Sequence, residues 1–338
     1  MWRKTQKTLA TFIPVLLLFV YLTVAICLLN RWDSMVAVTL APVWVWSGLG
    51  MAIALLCWII CGGFPSIVMF SLCLATGIAF SEETIGIARE LVIAVRGEEK
   101  GAPESDHVLR VVNVNCSGSE ESLRKAIESK PDVVVIQKAP AKAVLDSVAD
   151  HLYGVNRCVS VHMTSAIIAS GEILGELSGP ESTTLHVRIK LPDGFIIDVT
   201  NLDLEGCAPR LDMWRPSVWK QLIVARIENR RQVRASLGEN EITRENIGRI
   251  ISGGFGTPPG DDVYRPLETN GLIDTYASAG RGWGNTHPPD YPLLRLDQIW
   301  VSPNLKPIRS LTRLNSSSES RTVESEVVLP AQSPPRKG

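Results

Sequence analysis

Hydrophobic residues are distributed unevenly along this chain. No charged residue occurs between Lys7 and Arg31, and a second uncharged run extends over 34–81, with a break at Gly62. A helix needs about 20 apolar residues to cross a bilayer. The first run therefore predicts one crossing and the second predicts two, and the expected membrane helices are 8–30, 36–61 and 64–81.

The charges that flank the first run predict its orientation. Arg3, Lys4 and Lys7 precede it, and positive residues favour the cytoplasmic side of a membrane. We therefore expect a multi-pass protein with a cytoplasmic N-terminus, and three crossings place the rest of the chain on the extracytoplasmic side. A signal peptide is the alternative for the first run, but its length and the apolar sequence after it favour a membrane helix.

The remaining sequence has a different pattern. Residues 82–95 mix charged and apolar positions at helical spacing and predict a helix that continues the membrane region, 1–96, or lies at the interface. Residues 97–107 are rich in charge, Gly and Pro and predict a linker. We expect one folded domain over 108–330 and a disordered, Pro-rich tail over 331–338.

Within the domain, short apolar runs alternate with amphipathic segments, which is typical of layered α/β folds. The strand-like runs include LRVVNVN, VVVI, SAIIASGEI, TTLHVRIKL, FIIDVTNLDL, IISGG, DQIWV and a short last one at 327–329. Helices are predicted over 119–129, 141–152 and 216–237. On the last helix, the residues expected to face the core are Trp219, Leu222, Ile223 and Ile227, and those expected to face water are Arg226, Arg230, Arg231 and Arg234.

Charge and cysteine content exclude some classes of protein. The net charge is −1, whereas a non-specific nucleic-acid binder is usually basic, so nucleic acid is an unlikely partner. Outside the apolar runs only Cys116, Cys158 and Cys207 remain, without CxxC spacing. This argues against a zinc site and a disulfide framework, and leaves open one bridge in an oxidising compartment.

The stretch IISGGFGTPPG, residues 250–260, predicts a buried strand that ends in a Gly/Pro loop. It resembles a motif of the endonuclease/exonuclease/phosphatase superfamily of metal-dependent phosphodiesterases, in which such a strand ends Gly-Gly-Asp-Phe-Asn-Thr-Pro-Pro. Gly254 stands at the position of the motif's Asp, and Gly256 at that of its Asn.

Further segments resemble the same family in the same order. Residues 271–286 are similar to a substrate-side loop of its membrane-linked bacterial members. The matched site positions are Asn115 for an Asn, Lys138 for the magnesium-binding Glu, Asn201 for the catalytic His, Asp297 for a retained Asp and, in the closing Ser-Asp-His strand, Ser320, Arg321 and Thr322. The resemblance covers about 108–330 and implies a four-layered α/β sandwich of two packed sheets flanked by helices.

The substitutions change the chemistry that the resemblance implies. Magnesium prefers oxygen ligands, with carboxylates among them, and the ammonium of Lys138 cannot be one. We therefore predict a catalytically inactive domain without a cofactor. The alternative is an active phosphodiesterase or phosphatase, which would need Mg²⁺ or Mn²⁺ at a rearranged site. Its candidate ligands are Asp203, Glu205, Asp261 and Asp262, and His287 is the candidate replacement for the family's His.

The substitutions also suggest a binding function. In the family's arrangement the positions of Lys138 and Arg321 converge on the phosphate, so both cations are expected to hold an anion, with hydrogen bonds from Asn115 and Asn201. The expected partners are the membrane and a phosphorylated or anionic ligand or a protein. Alternatively, the two cations reach solvent or pair with acids, Asp297 being the expected partner of Arg321. A purely structural membrane protein is the third possibility.

Overall fold

A computed structural model describes residues 2–97, 107–178, 184–207, 209, 210, 212, 213, 215–237 and 247–330, with side chains except at 2–11 and 61. Most of the predicted linker and the whole predicted tail lie outside these residues.

Five helices form the N-terminal region within the described residues: α1 (Trp2–Asn30), α2 (Val36–Thr39), α3 (Val43–Cys61), α4 (Phe64–Phe80) and α5 (Glu82–Arg96). The segments Phe12–Asn30 and Val43–Ile60 are each long and apolar enough to cross a membrane. Helix α4 has 17 residues and qualifies as a third span only together with α5, from which it is bent by 70°. The structure thus has two to three potential spans.

The predicted span 36–61 begins later than expected. Residues 36–42 form the short helix α2 and a turn, and α3 starts at Val43, directly after Pro42. Proline lacks a backbone N–H and disfavours a helical conformation in the residue before it. Pro42 therefore separates α2 from α3.

Helices α3 and α4 form a hairpin that packs against α1. Its turn uses Gly62 and Gly63, whose φ angles are +64° and +106°, a region that favours glycine. The three helices also share a hydroxyl cluster, in which Tyr21 bonds to Thr76 and lies 3.3 Å from the Ser47 hydroxyl. This cluster therefore holds α1 next to the start of α3 and the last turns of α4.

The strands of the described domain are β1 (Val108–Asn115), β2 (Val133–Gln137), β3 (Arg157–His162), β4 (Ser165–Ser170), β5 (Glu172–Glu176), β6 (Leu185–Lys190), β7 (Ile196–Asp203), β8 (Ile247–Gly254), β9 (Ile273–Asp274), β10 (Asp297–Val301), β11 (Lys306–Arg313) and β12 (Thr322–Val328). They form two six-stranded sheets, ordered β11-β12-β1-β2-β4-β3 and β5-β6-β7-β8-β10-β9. In each sheet one pair is parallel, β1 with β2 and β7 with β8, and the other pairs are antiparallel.

The remaining helices are α6 (Glu120–Ala126), α7 (Lys142–Tyr153), α8 (Pro216–Ser236), α9 (Arg265–Thr269) and α10 (Thr275–Ala279). The sheets pack face to face over buried aliphatic residues such as Val135, Ile167 and Val199. Helices α6 and α7 cover the outer face of the first sheet, and α8 covers that of the second. The predicted four-layered α/β sandwich is confirmed.

Several local predictions need correction. Strands β3, β9 and β11 were not predicted, and β12 is longer than the predicted 327–329. The predicted run 165–173 divides into β4 and the beginning of β5. On α8, Arg226 is fully buried and Arg230 half-buried, whereas Ile227 is 44% exposed. This polar face points inward because carboxylates and backbone carbonyls there accept hydrogen bonds from Arg226 and Arg230.

Those partners join the domain to the membrane region. The guanidinium of Arg226 donates to Asp261 Oδ1 (3.1 Å) and to the carbonyls of Arg31 and Trp32 (3.2 and 3.1 Å). Arg230 pairs with Asp33 at 2.9 Å and also with Asp262. The connection after α1 is therefore fixed to α8 by buried charge-assisted hydrogen bonds.

Candidate functional site

The candidate site lies where three neighbouring strands of the second sheet meet. Asp203 ends β7, Gly254 ends β8 and Asp297 begins β10, and the pairing register places Gly254 directly between the two aspartates. Gly254 thus marks the position where the resemblance implied a third carboxylate.

The two glycines at the positions of the motif's Asp and Asn, Gly254 and Gly256, differ in the space around them. A Cβ at Gly254 would lie 3.7 Å from Asp297 Oδ1 and 3.8 Å from Asp203 Oδ1, which is ordinary contact. Gly256 has φ +65°, and a Cβ there would lie 2.6 Å from the Glu205 carbonyl oxygen. Position 254 can accept a side chain, but the backbone excludes one at 256.

On the facing sheet, Lys138 follows β2 and forms an ion pair with Glu319. The Nδ2 group of Asn115, at the end of β1, lies 3.4 Å from the same carboxylate oxygen. The hydrogen bond from Lys138 is the main reason that the pKa of Glu319 lies below its usual value; burial opposes this, and the Ser117 hydroxyl and Asn115 amide add to it. An anion, the Glu319 carboxylate, thus already occupies the place where Lys138 and Asn115 converge.

The structure changes the expected role of the last strand. Arg321 donates from Nε to the Pro289 carbonyl at 2.8 Å, and the Thr322 hydroxyl accepts from Asn315. Lys138 and Arg321 therefore bind different partners. Arg321 also does not pair with Asp297, which the Ser320 and Thr286 hydroxyls contact instead. Residues 318–320, Ser-Glu-Ser, therefore stand where Ser320, Arg321 and Thr322 were expected. We call the place where Lys138, Asn115 and Glu319 meet Asp203 and Asp297 the Lys138 pocket.

Asn201 does not face the pocket. It is fully buried, and its Nδ2 donates to the carbonyls of Ile136 (2.7 Å) and Ala166 (3.1 Å) on the facing sheet. Its oxygen accepts from Gln137 at 2.7 Å. Because both amide hydrogens are used inside the domain, Asn201 has no donor left for a ligand.

Asp297 is the most strongly perturbed carboxyl group of the pocket. Burial raises its pKa to about 6; the Thr286 and Ser320 hydroxyls and His287 act in the opposite direction, while Asp203 adds to the rise. The pKa of Asp203 is also raised, by burial first, with Lys138 opposing and Glu319 reinforcing the shift. His287 is thus near Asp297, and its Nδ1 lies 3.2 Å from the Glu319 carbonyl oxygen.

The four candidate ligands of a rearranged metal site are not brought together. Asp261 and Asp262 accept hydrogen bonds from arginines of α8 at the membrane joint, and Glu205 is exposed. Of the four candidates, only Asp203 lies beside Gly254. Within the described residues, no three His, Cys, Asp or Glu side chains form a group that could hold a metal ion.

No protein-family model and no curated protein matches this sequence. Among solved structures, similar chains include TDP2 from D. rerio complexed with single-strand DNA product (14% identity, 66% of this chain and 99% of that one, TM-score 0.49). They also include a Bacteroides thetaiotaomicron endonuclease/exonuclease/phosphatase family protein (16%, 67% and 97%, 0.48) and a mannosyl-6-phosphatase from the same organism (17%, 65% and 100%, 0.48). At such identities the likeness concerns the fold alone. In fold, the chain is similar to endonuclease/exonuclease/phosphatase proteins.

Proposed function

We propose that the protein is a membrane-anchored binding module of this fold that does not hydrolyse phosphate esters. The observation that carries the proposal is the Lys138–Glu319 ion pair, with Asn115 directed at the same carboxylate oxygen. Where the resemblance implies a metal-binding carboxylate, the chain has an ammonium that binds an anion.

The residues present do not fit the divalent metal of the family. Lys138 would repel the ion and Glu319 is engaged by Lys138, so Asp203 and Asp297 are the carboxylates that remain beside Gly254. A hard cation needs several ionised oxygens. We therefore assign the pocket no metal-dependent step.

The ligand we propose is a carboxylate or phosphate that displaces Glu319 from Lys138. The Lys138 and Glu319 side chains are 44% and 52% exposed, and an exposed ion pair contributes only about 0–1 kcal/mol. An external anion with several oxygens can therefore compete for the ammonium and the Asn115 amide. Its binding should be saturable and weakened by salt.

Titration of the full chain in detergent with inorganic phosphate tests this function. Lys138→Gln should weaken binding about tenfold, as expected for one charge-assisted hydrogen bond, and Lys130→Gln, a lysine outside the pocket, should leave it unchanged. No binding at millimolar phosphate, or equal binding by both variants, contradicts the proposal.

A rearranged phosphodiesterase is the second candidate. The observation in its favour is the space at Gly254, with Asp203 and Asp297 on either side. It requires a cation between these two carboxylates, so Mn²⁺ binding that Asp203→Asn removes would favour it over the anion site.

For the membrane region we propose three crossings, with the N-terminus in the cytoplasm and the domain outside. The end of α1, through Arg226, and the start of α5, where Glu82 pairs with Arg295, both contact the domain. Helix α1 then crosses the membrane once, and the α3–α4 hairpin, which begins and ends on the domain side, crosses it twice.

Cysteine labelling tests this orientation. The six cysteines whose side chains are described are buried, so Val155→Cys, at a 99% exposed position, in a Cys61→Ser background should react with an impermeant maleimide on intact cells. Reaction only after permeabilisation contradicts this orientation.

A further inference from the structure

A cavity lies away from the Lys138 pocket, between the N-terminal helices and the domain. It is a groove of about 600 Å³ between α5 on one side and α10 and the beginning of β11 on the other. Ile78, in the last turns of α4, lines it together with Ile85 and Val92 of α5 and Ile308 of β11. The groove is thus mainly apolar and continuous with a membrane helix.

Helix α5 has the features of a helix that lies along a membrane surface. It is bent by 70° from α4. One face packs so closely on the domain that a Cβ at Gly86 would lie 2.3 Å from the Tyr276 hydroxyl. The opposite face exposes Ile87, Leu91 and Val95 by 39%, 60% and 86%. An apolar helix face at the end of a membrane span is typical of an interfacial helix.

Two arginines, Arg89 and Arg281, line the same groove. Arg89 donates to the carbonyls of Tyr276 (3.4 Å) and Ala277 (3.0 Å), which position the guanidinium without neutralising it. Among the described residues, neither arginine has an acidic partner. The groove therefore combines apolar walls with two positive charges.

We propose that this groove binds an anionic phospholipid, with the phosphate at Arg89 and Arg281 and an acyl chain along Ile78 and Val92. A soluble anion would complement the arginines but leave the apolar walls in water, and a zwitterionic lipid would carry no net charge for them. Lipid can enter sideways from the bilayer around α4. This inference rests on the proposed membrane placement and is independent of the Lys138 pocket.

Native mass spectrometry of the full chain tests the proposal. The protein is purified in detergent and incubated with equal amounts of dioleoylphosphatidylglycerol and dioleoylphosphatidylcholine. The phosphatidylglycerol adduct should predominate, and Arg281→Gln should lower the adduct ratio about fivefold, the effect of roughly one basic residue near an anionic lipid. Ile308→Glu should lower it as well. Arg124→Gln, on the outer helix α6, should not change it.

Three results would overturn the inference. Equal retention of both lipids removes the charge preference, an unchanged ratio in Arg281→Gln places the lipid elsewhere, and displacement by millimolar inorganic phosphate identifies a free-anion site. Failure of the membrane placement gives a different result, because the wild-type chain would then remain in the soluble fraction when it is expressed.

Discussion

The ammonium of Lys138 and the carboxylate of Glu319 face each other across the candidate pocket, from the end of β2 and from the loop before β12. The two residues are 181 positions apart in the chain. Each side chain therefore depends on the packing of the first sheet for its position, and both side chains remain about half-exposed.

The Glu319→Gln variant tests whether this carboxylate competes with a ligand. Removing its charge should free Lys138 and strengthen phosphate binding about fivefold, since an exposed ion pair contributes up to about 1 kcal/mol. Titration calorimetry of the full chain measures the change. Glu172→Gln, at an exposed position on β5, is the control. Unchanged or weaker binding in Glu319→Gln would show that Glu319 does not occupy the ligand position.

The two glycines provide a matched test of the pocket geometry. Gly256→Ala should destabilise the protein by about 2 kcal/mol, because it adds a side chain at a positive φ against the Glu205 carbonyl. Gly254→Ala should have little effect, because its Cβ makes only ordinary contacts. Thermal unfolding compares the variants. Equal losses would mean that the backbone at 256 is not constrained as described.

The sequence predicted the fold better than the site. Unbroken apolar runs such as Val133–Ile136 identify buried strands from local patterns. Contacts between distant segments have no such signal. Asn201 stands at a catalytic position but bonds to carbonyls of the facing sheet, and Glu319 reaches Lys138 from another segment.

Two features that the sequence analysis missed, the position of Ser-Glu-Ser and the buried face of α8, did have a signal in the sequence. Ser-Glu-Ser at 318–320 has an acidic residue in the middle position, as Ser-Asp-His does, and therefore fits that motif better than Ser320 to Thr322. On α8, the buried positions Val218, Leu222, Arg226, Asn229 and Val233 recur at helical spacing. This spacing identifies the buried face only if a charged residue such as Arg226 is accepted on it. The sequence alone does not show the acidic partner that makes its burial favourable.

Arg226 provides a test of the joint between domain and membrane region. Arg226→Met should destabilise the protein by about 3–5 kcal/mol, because it leaves the buried Asp261 carboxylate without its guanidinium. Arg231→Met should change stability little, as the Arg231 side chain is 81% exposed. The thermal unfolding midpoint of the full chain measures both. A small effect of Arg226→Met would contradict a fixed joint.

Asp297 predicts a defined pH dependence of stability. Its folded-state pKa of about 6 lies above its ordinary value of 3.8, so the folded protein favours the protonated carboxyl. The resulting stabilisation is complete below pH 3.8 and is lost as the pH rises through about 6, with a total of about 3 kcal/mol. Asp297→Asn should lack this loss, so its thermal unfolding midpoint should rise relative to that of the wild type between pH 4 and 7. Asp290→Asn, at an exposed position, should follow the wild type, and parallel curves for all three proteins would contradict the assignment.

The central claim is that the pocket binds an anion and does not catalyse hydrolysis. The most direct measurement is the release of p-nitrophenol from p-nitrophenyl phosphate and bis(p-nitrophenyl) phosphate by the wild-type full chain, with Mg²⁺ and with Mn²⁺. The ammonium of Lys138 at the metal position predicts no release above the protein-free background. Metal-dependent turnover that Asp203→Ala abolishes and Lys138→Gln does not would contradict the claim and establish a working metal centre beside Gly254.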